Sequence, residues 1–106
     1  MVHALLREAQ SAQGVTVFDV GANNGMWSVR VNDQLQAVAP RARRHFVLVE
    51  PQQKMQRELR TFAASSQSDA RIVQAVASWR RGNMTLHLHR NTTRVPRSVR
   101  LVQWHI

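Results

Sequence analysis

Hydrophobic residues are concentrated at positions 15–20, where the sequence reads VTVFDV. β-Branched and aromatic side chains dominate this run, which is the composition of a buried strand. Gly21 and Gly25 then interrupt the apolar pattern, and its period changes from that of a strand to that of a helix. We therefore predict a strand at 15–20, a glycine turn, and a helix at 24–38 that Pro40 ends. The apolar positions assigned to one face of this helix are Met26, Val29, Leu35 and Val38.

A second apolar run, FVLV at residues 46–49, follows a basic connector at 41–45. A continuous run of this kind is typical of a parallel strand that is buried on both faces. Asp19 lies at the carboxyl end of the first strand and Glu50 at that of the second, with one helix between them. This is a β-α-β unit, whose crossover we expect to be right-handed. Both acidic residues are then predicted at one edge of the sheet, the edge where open α/β sheets bind ligands.

The rest of the chain predicts a second long helix and three more strands. The helix carries Met55, Leu59 and Phe62 at i, i+4 and i+7, so that they share a face. The predicted elements are a helix at 52–64, strands at 72–77, 84–89 and 99–104, a turn at 80–83, a loop at 91–97 and a short N-terminal helix at 4–12. The strand at 84–89 alternates apolar and polar residues, and we expect the last strand to pair back on it.

Composition narrows the class of protein. The 106 residues suit one small domain, and a hydrophobic content of 43% is enough for a packed core. The sequence contains no cysteine, so these residues cannot form disulfides, cysteine–zinc sites or a catalytic thiol. We recognise neither a signal peptide nor an apolar stretch of membrane-spanning length, and therefore expect a cytoplasmic protein with no membrane partner.

The formal net charge is +9, and Lys54 is the only lysine. One interpretation is an anionic partner such as nucleic acid. The other is a solvated, arginine-rich surface. The arginines are scattered, with clusters only at 41–44 and 80–81, and no basic strand is interleaved with aromatic residues. A nucleic-acid-binding module therefore stays open as the less favoured alternative.

The glycine turn limits the kind of ligand that this edge accepts. A dinucleotide loop places a glycine where this chain has Asn23, whose Cβ would crowd a diphosphate. A phosphate-binding P-loop is also excluded, since Met26 and Trp27 follow Gly25 in place of lysine and serine or threonine. The remaining candidate is a nucleoside ligand without a diphosphate. S-adenosyl-L-methionine (SAM) is of this kind, with a carboxylate that suits a helix N-terminus.

The segment FDVGANNGMWS resembles the first SAM-binding motif of class I methyltransferases, most closely the FkbM-type branch, which reads D-x-G-A-N-x-G. The resemblance extends to VEP at 49–51 and to A-x-A-S at 75–78 followed by a glycine turn, and covers about residues 15–88. It implies an incomplete Rossmann-like fold: three parallel strands with flanking helices and a C-terminal β-hairpin. It also implies SAM-dependent O-methyl transfer to a small molecule or a glycan. A fragment of an RNA methyltransferase is the alternative that would also explain the charge.

The resemblance implies a set of cofactor contacts. Asp19 is expected at the amino-acid end of SAM, the 21–25 backbone around its tail, and residues 76–78 beside the adenine. Glu50 lies where a carboxylate can accept hydrogen bonds from both ribose hydroxyls. The predicted cofactor-binding residues are Asp19, Gly21, Ala22, Asn23, Asn24, Gly25, Glu50, Pro51, Val76, Ala77 and Ser78. Two alternatives stay open: a tight turn without a ligand, and a Glu50 that only caps the helix after Pro51.

No catalytic base and no metal site are predicted. His87 and His89 share one strand face, but a single strand supplies only two of the three or four ligands that zinc requires. Together with His45 they are interpreted as structural or surface residues. We expect residues 1–106 to be the cofactor-binding half of a domain, completed by a C-terminal segment or another chain. The strand at 15–20 would otherwise expose an apolar edge, and this half alone should be a poor methyltransferase.

Overall fold

The computed structural model describes residues 14–90 and 93–103, with side chains described at 14–85 and 98–103. The short helix predicted at 4–12 lies outside the described residues. The elements are β1 (Gly14–Val20), α1 (Met26–Val38), β2 (Arg43–Val49), a 3₁₀ turn (Gln53–Met55), α2 (Gln56–Ser65), β3 (Asp69–Val73), β4 (Val76–Ser78), β5 (Gly82–Arg90) and β6 (Thr93–Gln103). Within the described residues, no helix is both long enough and apolar enough to cross a membrane.

The first sheet is parallel and has the order β1-β2-β3. Val17 pairs with Phe46 across β1 and β2, and Phe46 pairs with Ala70 across β2 and β3. This confirms the predicted parallel β-α-β unit, and the molecule is a small α/β protein. Among the described strands, β1 pairs with β2 alone, so β1 ends the strand order.

Both helices pack on the same face of this sheet. The core combines strand residues such as Phe46 and Leu48 with Leu35 of α1 and Leu59 of α2. The rings of Phe46 and Phe62 meet edge to face, with centroids 5.2 Å apart and planes at 77°. Such aromatic pairs add about 0.5–1.5 kcal/mol beyond the burial of their area. The core therefore holds β2 and α2 together directly beneath the edge where Glu50 lies.

The predicted buried face of α1 is wrong for three of its four residues. Leu35 is fully buried, but Met26, Val29 and Val38 are exposed, at 37% or more of their surface. The residues that α1 buries are Ser28, Val31, Asn32 and Leu35. They follow the i, i+3, i+4, i+7 spacing of one helix face. Two of them are polar, and each has a partner in another element, which allows that face to be buried.

The strand predicted at 72–77 is also wrong, because the chain changes sheet within it. β3 ends at Val73, where the Ala75 amide donates to the Val73 carbonyl at 3.0 Å. β4 then pairs in parallel with β6, in a second sheet of order β4-β6-β5. The predicted hairpin is confirmed, since β5 and β6 are antiparallel from Gly82↔Leu101 onward.

Several boundaries differ from the predictions: α1 begins at Met26 rather than at 24, and β5 spans Gly82–Arg90 rather than 84–89. The predicted loop at 91–97 is wrong from Thr93 onward, where β6 begins. The basic connector at 41–45 is shorter than predicted, because β2 begins at Arg43. The helix predicted at 52–64 begins as a 3₁₀ turn at Gln53–Met55 and continues as α2.

We expect Leu35→Ala to lower the free energy of unfolding by about 2–5 kcal/mol, because it opens a cavity in the core. The matched change Val38→Ala, on the exposed side of α1, should cost less than about 1 kcal/mol. Urea denaturation of both variants measures the difference. Equal losses would contradict the helix orientation seen in the structure.

Candidate site at the carboxyl edge of the first sheet

A cavity of about 350 Å³ lies where β1 and β2 end and β4 begins. Its lining comes from three separate parts of the sequence: the end of β1, the turn after β2, and the segment that enters β4. The lining residues are Val20, Gly21, Val49, Glu50, Pro51, Gln52, Ala75, Val76 and Ala77. This is the edge of a parallel sheet at which α/β proteins bind ligands.

The turn between β1 and α1 is bonded to the end of β2. The amides of Gly21 and Ala22 both donate to the Val49 carbonyl, at 2.8 and 3.0 Å. Three residues of the turn have positive φ: Gly21 at 76°, Asn23 at 52° and Gly25 at 83°. Glycine adopts this conformation without the steric cost that other residues incur. The two bonds hold the turn against the end of β2, and Gly21 within the turn lines the cavity.

The two glycines serve different purposes. A Cβ on Gly25 would lie 3.1 Å from the Cδ2 atom of Leu59, so this glycine lets α2 approach the start of α1. A Cβ on Gly21 would have no heavy atom within 4 Å, and Gly21 lines the cavity. Gly25 is thus explained by packing and backbone conformation, and Gly21 by conformation alone.

Glu50 joins the two turns that border the cavity. Its side chain accepts a hydrogen bond from the Asn23 amide at Oε1 (2.8 Å) and one from the Gln52 amide at Oε2 (2.9 Å). Its main-chain carbonyl accepts from Nε2 of Gln56 at 3.1 Å. The residue is 3% exposed. The capping interpretation of Glu50 is wrong: Pro51 is not helical, and neither the 3₁₀ turn nor α2 has a side-chain cap. The bond to Gln52 lies before the 3₁₀ turn, and the bond to Asn23 adds a link that the sequence did not indicate.

Glu50 keeps acceptor capacity beyond these bonds. An ionised carboxylate has about four lone-pair positions. Each oxygen here accepts one amide, so each retains a position for a hydroxyl donor. A structural role and ligand binding are therefore compatible in this residue.

Asp19 faces the core side of the sheet. It is 8% exposed, and its Oδ2 accepts a hydrogen bond from Oγ of Ser28 at 2.6 Å. Asp19 is not among the residues that line the cavity. Its carboxylate joins β1 to α1. Sequence reasoning missed Ser28, although its spacing from Val31 and Leu35 places it on their helix face.

The predicted cofactor residues separate into two groups. Those that line the cavity are Gly21, Glu50, Pro51, Val76 and Ala77. The others support it or lie apart from it: Asp19, Ala22, Asn23, Asn24, Gly25 and Ser78. Ala22 is buried in the core, Asn24 accepts from the Met26 amide through Oδ1 at 3.1 Å, and Ser78 accepts from the Arg80 amide at 3.3 Å. Sequence reasoning missed the lining residues Val20, Val49, Gln52 and Ala75.

Metal-ligating side chains are not grouped in the part of the chain that the structure describes: no three of His, Asp and Glu lie together there. Nδ1 of His45 lies 3.1 Å from Oδ2 of Asp69, on the surface between β2 and β3. The side chains of His87 and His89 lie outside the described residues.

No protein-family model, curated protein or solved structure matches the chain. A function for the chain is therefore inferred from the geometry of this edge.

We expect Glu50→Gln to lower the free energy of unfolding by about 1–3 kcal/mol in the absence of any ligand. One of the two backbone amides, Asn23 or Gln52, would then face the side-chain NH₂ of glutamine, which cannot accept its hydrogen bond. Glu58→Gln, an exposed acid-to-amide change in α2, should cost only a few tenths of a kcal/mol. Thermal or urea unfolding compares the two. Unchanged stability of Glu50→Gln would show that the two backbone bonds contribute nothing.

Gly25→Ala is expected to destabilise the fold more than Gly21→Ala. Both variants bear the cost of a left-handed residue, about 1–2 kcal/mol. Gly25→Ala adds the 3.1 Å contact with Leu59, and such overpacking costs about 1–3 kcal/mol. Urea midpoints would test this order, and a larger loss for Gly21→Ala would contradict it.

Proposed function

We propose that the cavity at the carboxyl edge of the first sheet binds the adenosine part of SAM. In this proposal the chain is the cofactor-binding portion of a Rossmann-like methyltransferase of the FkbM type. One observation carries the proposal: Gly21, Glu50, Pro51, Val76 and Ala77 come from separate sequence segments and line one cavity. All five are among the residues that the sequence predicts as cofactor contacts.

The chemistry of the lining fits a nucleoside. Glu50 supplies carboxylate oxygens with acceptor positions for two ribose hydroxyls. Pro51, Val76 and Ala77 supply an apolar surface for a flat base. The volume of about 350 Å³ lies at the lower end of the range of roughly 300–1,000 Å³ that small-molecule sites occupy. It suits part of the cofactor, and the proposal assigns the adenosine to it.

The amino-acid end of SAM has less support in the structure. Asp19 is buried and bonded to Ser28. The amides of Gly21, Ala22 and Asn23 already donate to acceptors within the protein. The contacts of Asp19 and the 21–25 backbone with the cofactor tail therefore stay predictions. In the proposed site, Asp19 positions the start of α1 through Ser28.

SAM would supply an electrophilic methyl group, and the residues described here would hold the cofactor rather than activate an acceptor. A hydroxyl acceptor, in a small molecule or a glycan, would need a base in near-attack geometry. We assign no residue to that role. The methyl acceptor and the cytoplasmic location stay predictions from the sequence.

Ala77→Leu tests the site because it adds side-chain volume to the cavity and leaves both amide bonds of Glu50 in place. We expect the affinity for SAM, measured by calorimetry on the full chain, to fall at least about tenfold, or 1.4 kcal/mol. Ala64→Leu is the matched control: Ala64 is exposed on α2, and this variant should bind SAM like the original chain.

Nucleotide selectivity provides an independent check on the same samples. ATP should bind more weakly than SAM, because the turn lacks the glycines that admit phosphates. Three results would each overturn the proposal: no SAM binding by the original chain, full binding by Ala77→Leu, or a preference for ATP.

A further inference from the structure

The positive charge of the protein is unequally divided along the sequence. Residues 70–106 contain seven arginines and no aspartate or glutamate, so they carry +7 of the formal net charge of +9. Residues 1–69 contain eight basic and six acidic residues and carry +2. Arg71 lies in β3 of the first sheet, and the other six arginines lie at 80–100, in the part of the chain that forms the second sheet.

A second cavity, of about 420 Å³, lies on this sheet at the open end of the β5–β6 hairpin. Two arginines line it, Arg81 just before β5 and Arg100 within β6. The backbone positions of Gly82 and Leu101 are paired between these strands. The lining residues are Arg81, Gly82, Arg100, Leu101, Val102 and Gln103, and none of them is acidic.

An exposed tryptophan stands beside this cavity. Trp79 is 80% exposed, although tryptophan is usually largely buried. The Arg80 guanidinium carbon lies 5.6 Å from the centre of its ring. Nε2 of Gln103, which lines the cavity, donates to the Trp79 carbonyl at 3.3 Å. This bond places the main chain of Trp79 next to the arginine-lined cavity, and the ring of Trp79 is exposed there to solvent.

We propose that single-stranded nucleic acid binds this basic surface, defined as Trp79, Arg80, Arg81, Arg100 and Gln103. A base would stack on the indole ring, and the guanidinium groups of Arg81 and Arg100 would contact phosphates. A positively charged groove combined with an exposed aromatic ring is how proteins bind single strands without reading their sequence. The proposal does not depend on SAM binding.

The surface favours nucleic acid over other anionic partners. An acidic protein segment would be matched by the arginines alone and would leave the exposed ring without a role. A membrane surface is bound by a continuous apolar face, whereas the tryptophan here is followed directly by Arg80 and Arg81. Both other partners are outcomes of the test.

The experiment measures fluorescence anisotropy of the full chain with a labelled oligouridine of about 20 nucleotides, longer than the roughly 4–16 nucleotides that a small binding domain covers. Binding is titrated at several salt concentrations. Trp79→Ala should weaken binding about 5- to 150-fold at fixed salt, the equivalent of the roughly 1–3 kcal/mol of one stacked base. The salt dependence should stay unchanged, and Trp79→Phe should restore most of the affinity.

Removing charge should have the complementary effect. The double variant Arg81→Gln/Arg100→Gln should reduce the slope of log affinity against log salt by about 1.4, or roughly 0.7 per phosphate contact. The control is Arg57→Gln/Arg60→Gln, which removes two exposed arginines from α2. It should leave the slope nearly unchanged. Circular dichroism confirms that each variant is folded.

Four results would overturn the proposal. The first is an affinity that Trp79→Ala leaves unchanged. The second is a loss of slope in the α2 control equal to that in Arg81→Gln/Arg100→Gln. The third is that polyglutamate displaces the labelled oligonucleotide as well as unlabelled oligouridine does at the same concentration of charge. The fourth is tighter binding to phosphatidylserine vesicles than to the oligonucleotide, which would identify a membrane-binding surface.

Discussion

The buried carboxylate of Glu50 is the interaction on which the shape of the candidate site depends. Glu50 lies at the end of the central strand of the first sheet. Its carboxylate accepts hydrogen bonds from the backbone amides of Asn23 and Gln52, which belong to the turns on either side of it. A buried charge is costly unless hydrogen bonds replace its hydration. These two amides supply such bonds, so the charge and the two turns stabilise one another. Because both turns border the cavity, loss of the carboxylate would change the walls of the site as well as remove an acceptor from it.

This arrangement changes how the two interpretations of Glu50 relate to each other. The sequence presents capping and ribose binding as alternatives, because a single acidic residue at a strand end suits both. Capping is wrong, because neither the 3₁₀ turn nor α2 has a side-chain cap. Glu50 instead accepts hydrogen bonds from the amides of two turns, and its remaining lone pairs keep ligand binding open. Asp19 differs, since its contact with Ser28 faces the core and it does not line the cavity. Of the two acids at this edge, Glu50 is the one that lines the cavity.

Local sequence patterns predicted β1 and β2 well because the signals for these two strands are local. The runs VTVFDV and FVLV are rich in β-branched and apolar residues, and glycine occupies two of the three positions of the turn after β1 where φ is positive. The buried face of α1 could not be predicted in this way, since Ser28 and Asn32 are buried only because Asp19 and the Ser66 carbonyl accept their hydrogen bonds. Both partners are distant in sequence.

The break between β3 and β4 was missed for a similar reason: residues 72–77 are mostly small or apolar, and pairing with β6 decides where β4 lies. The charge partition was visible in the sequence, but its significance depended on where Trp79 is placed.

β4 is the element that connects the two candidate surfaces. Val76 and Ala77 line the first cavity. Trp79 follows β4, and its carbonyl accepts a hydrogen bond from Gln103, which lines the second cavity. Three residue steps of extended chain span about 10 Å. Pairing with β6 fixes the direction of β4, and the bond from Gln103 to the Trp79 carbonyl fixes the segment after it. A ligand stacked on Trp79 would therefore lie close to one held beside Val76. If both proposals hold, the nucleic acid would lie about 10 Å of chain away from the residues proposed to hold the adenosine. Methyl transfer needs the reacting atoms at roughly 3–3.5 Å, so binding at both surfaces would not by itself make the nucleic acid the methyl acceptor.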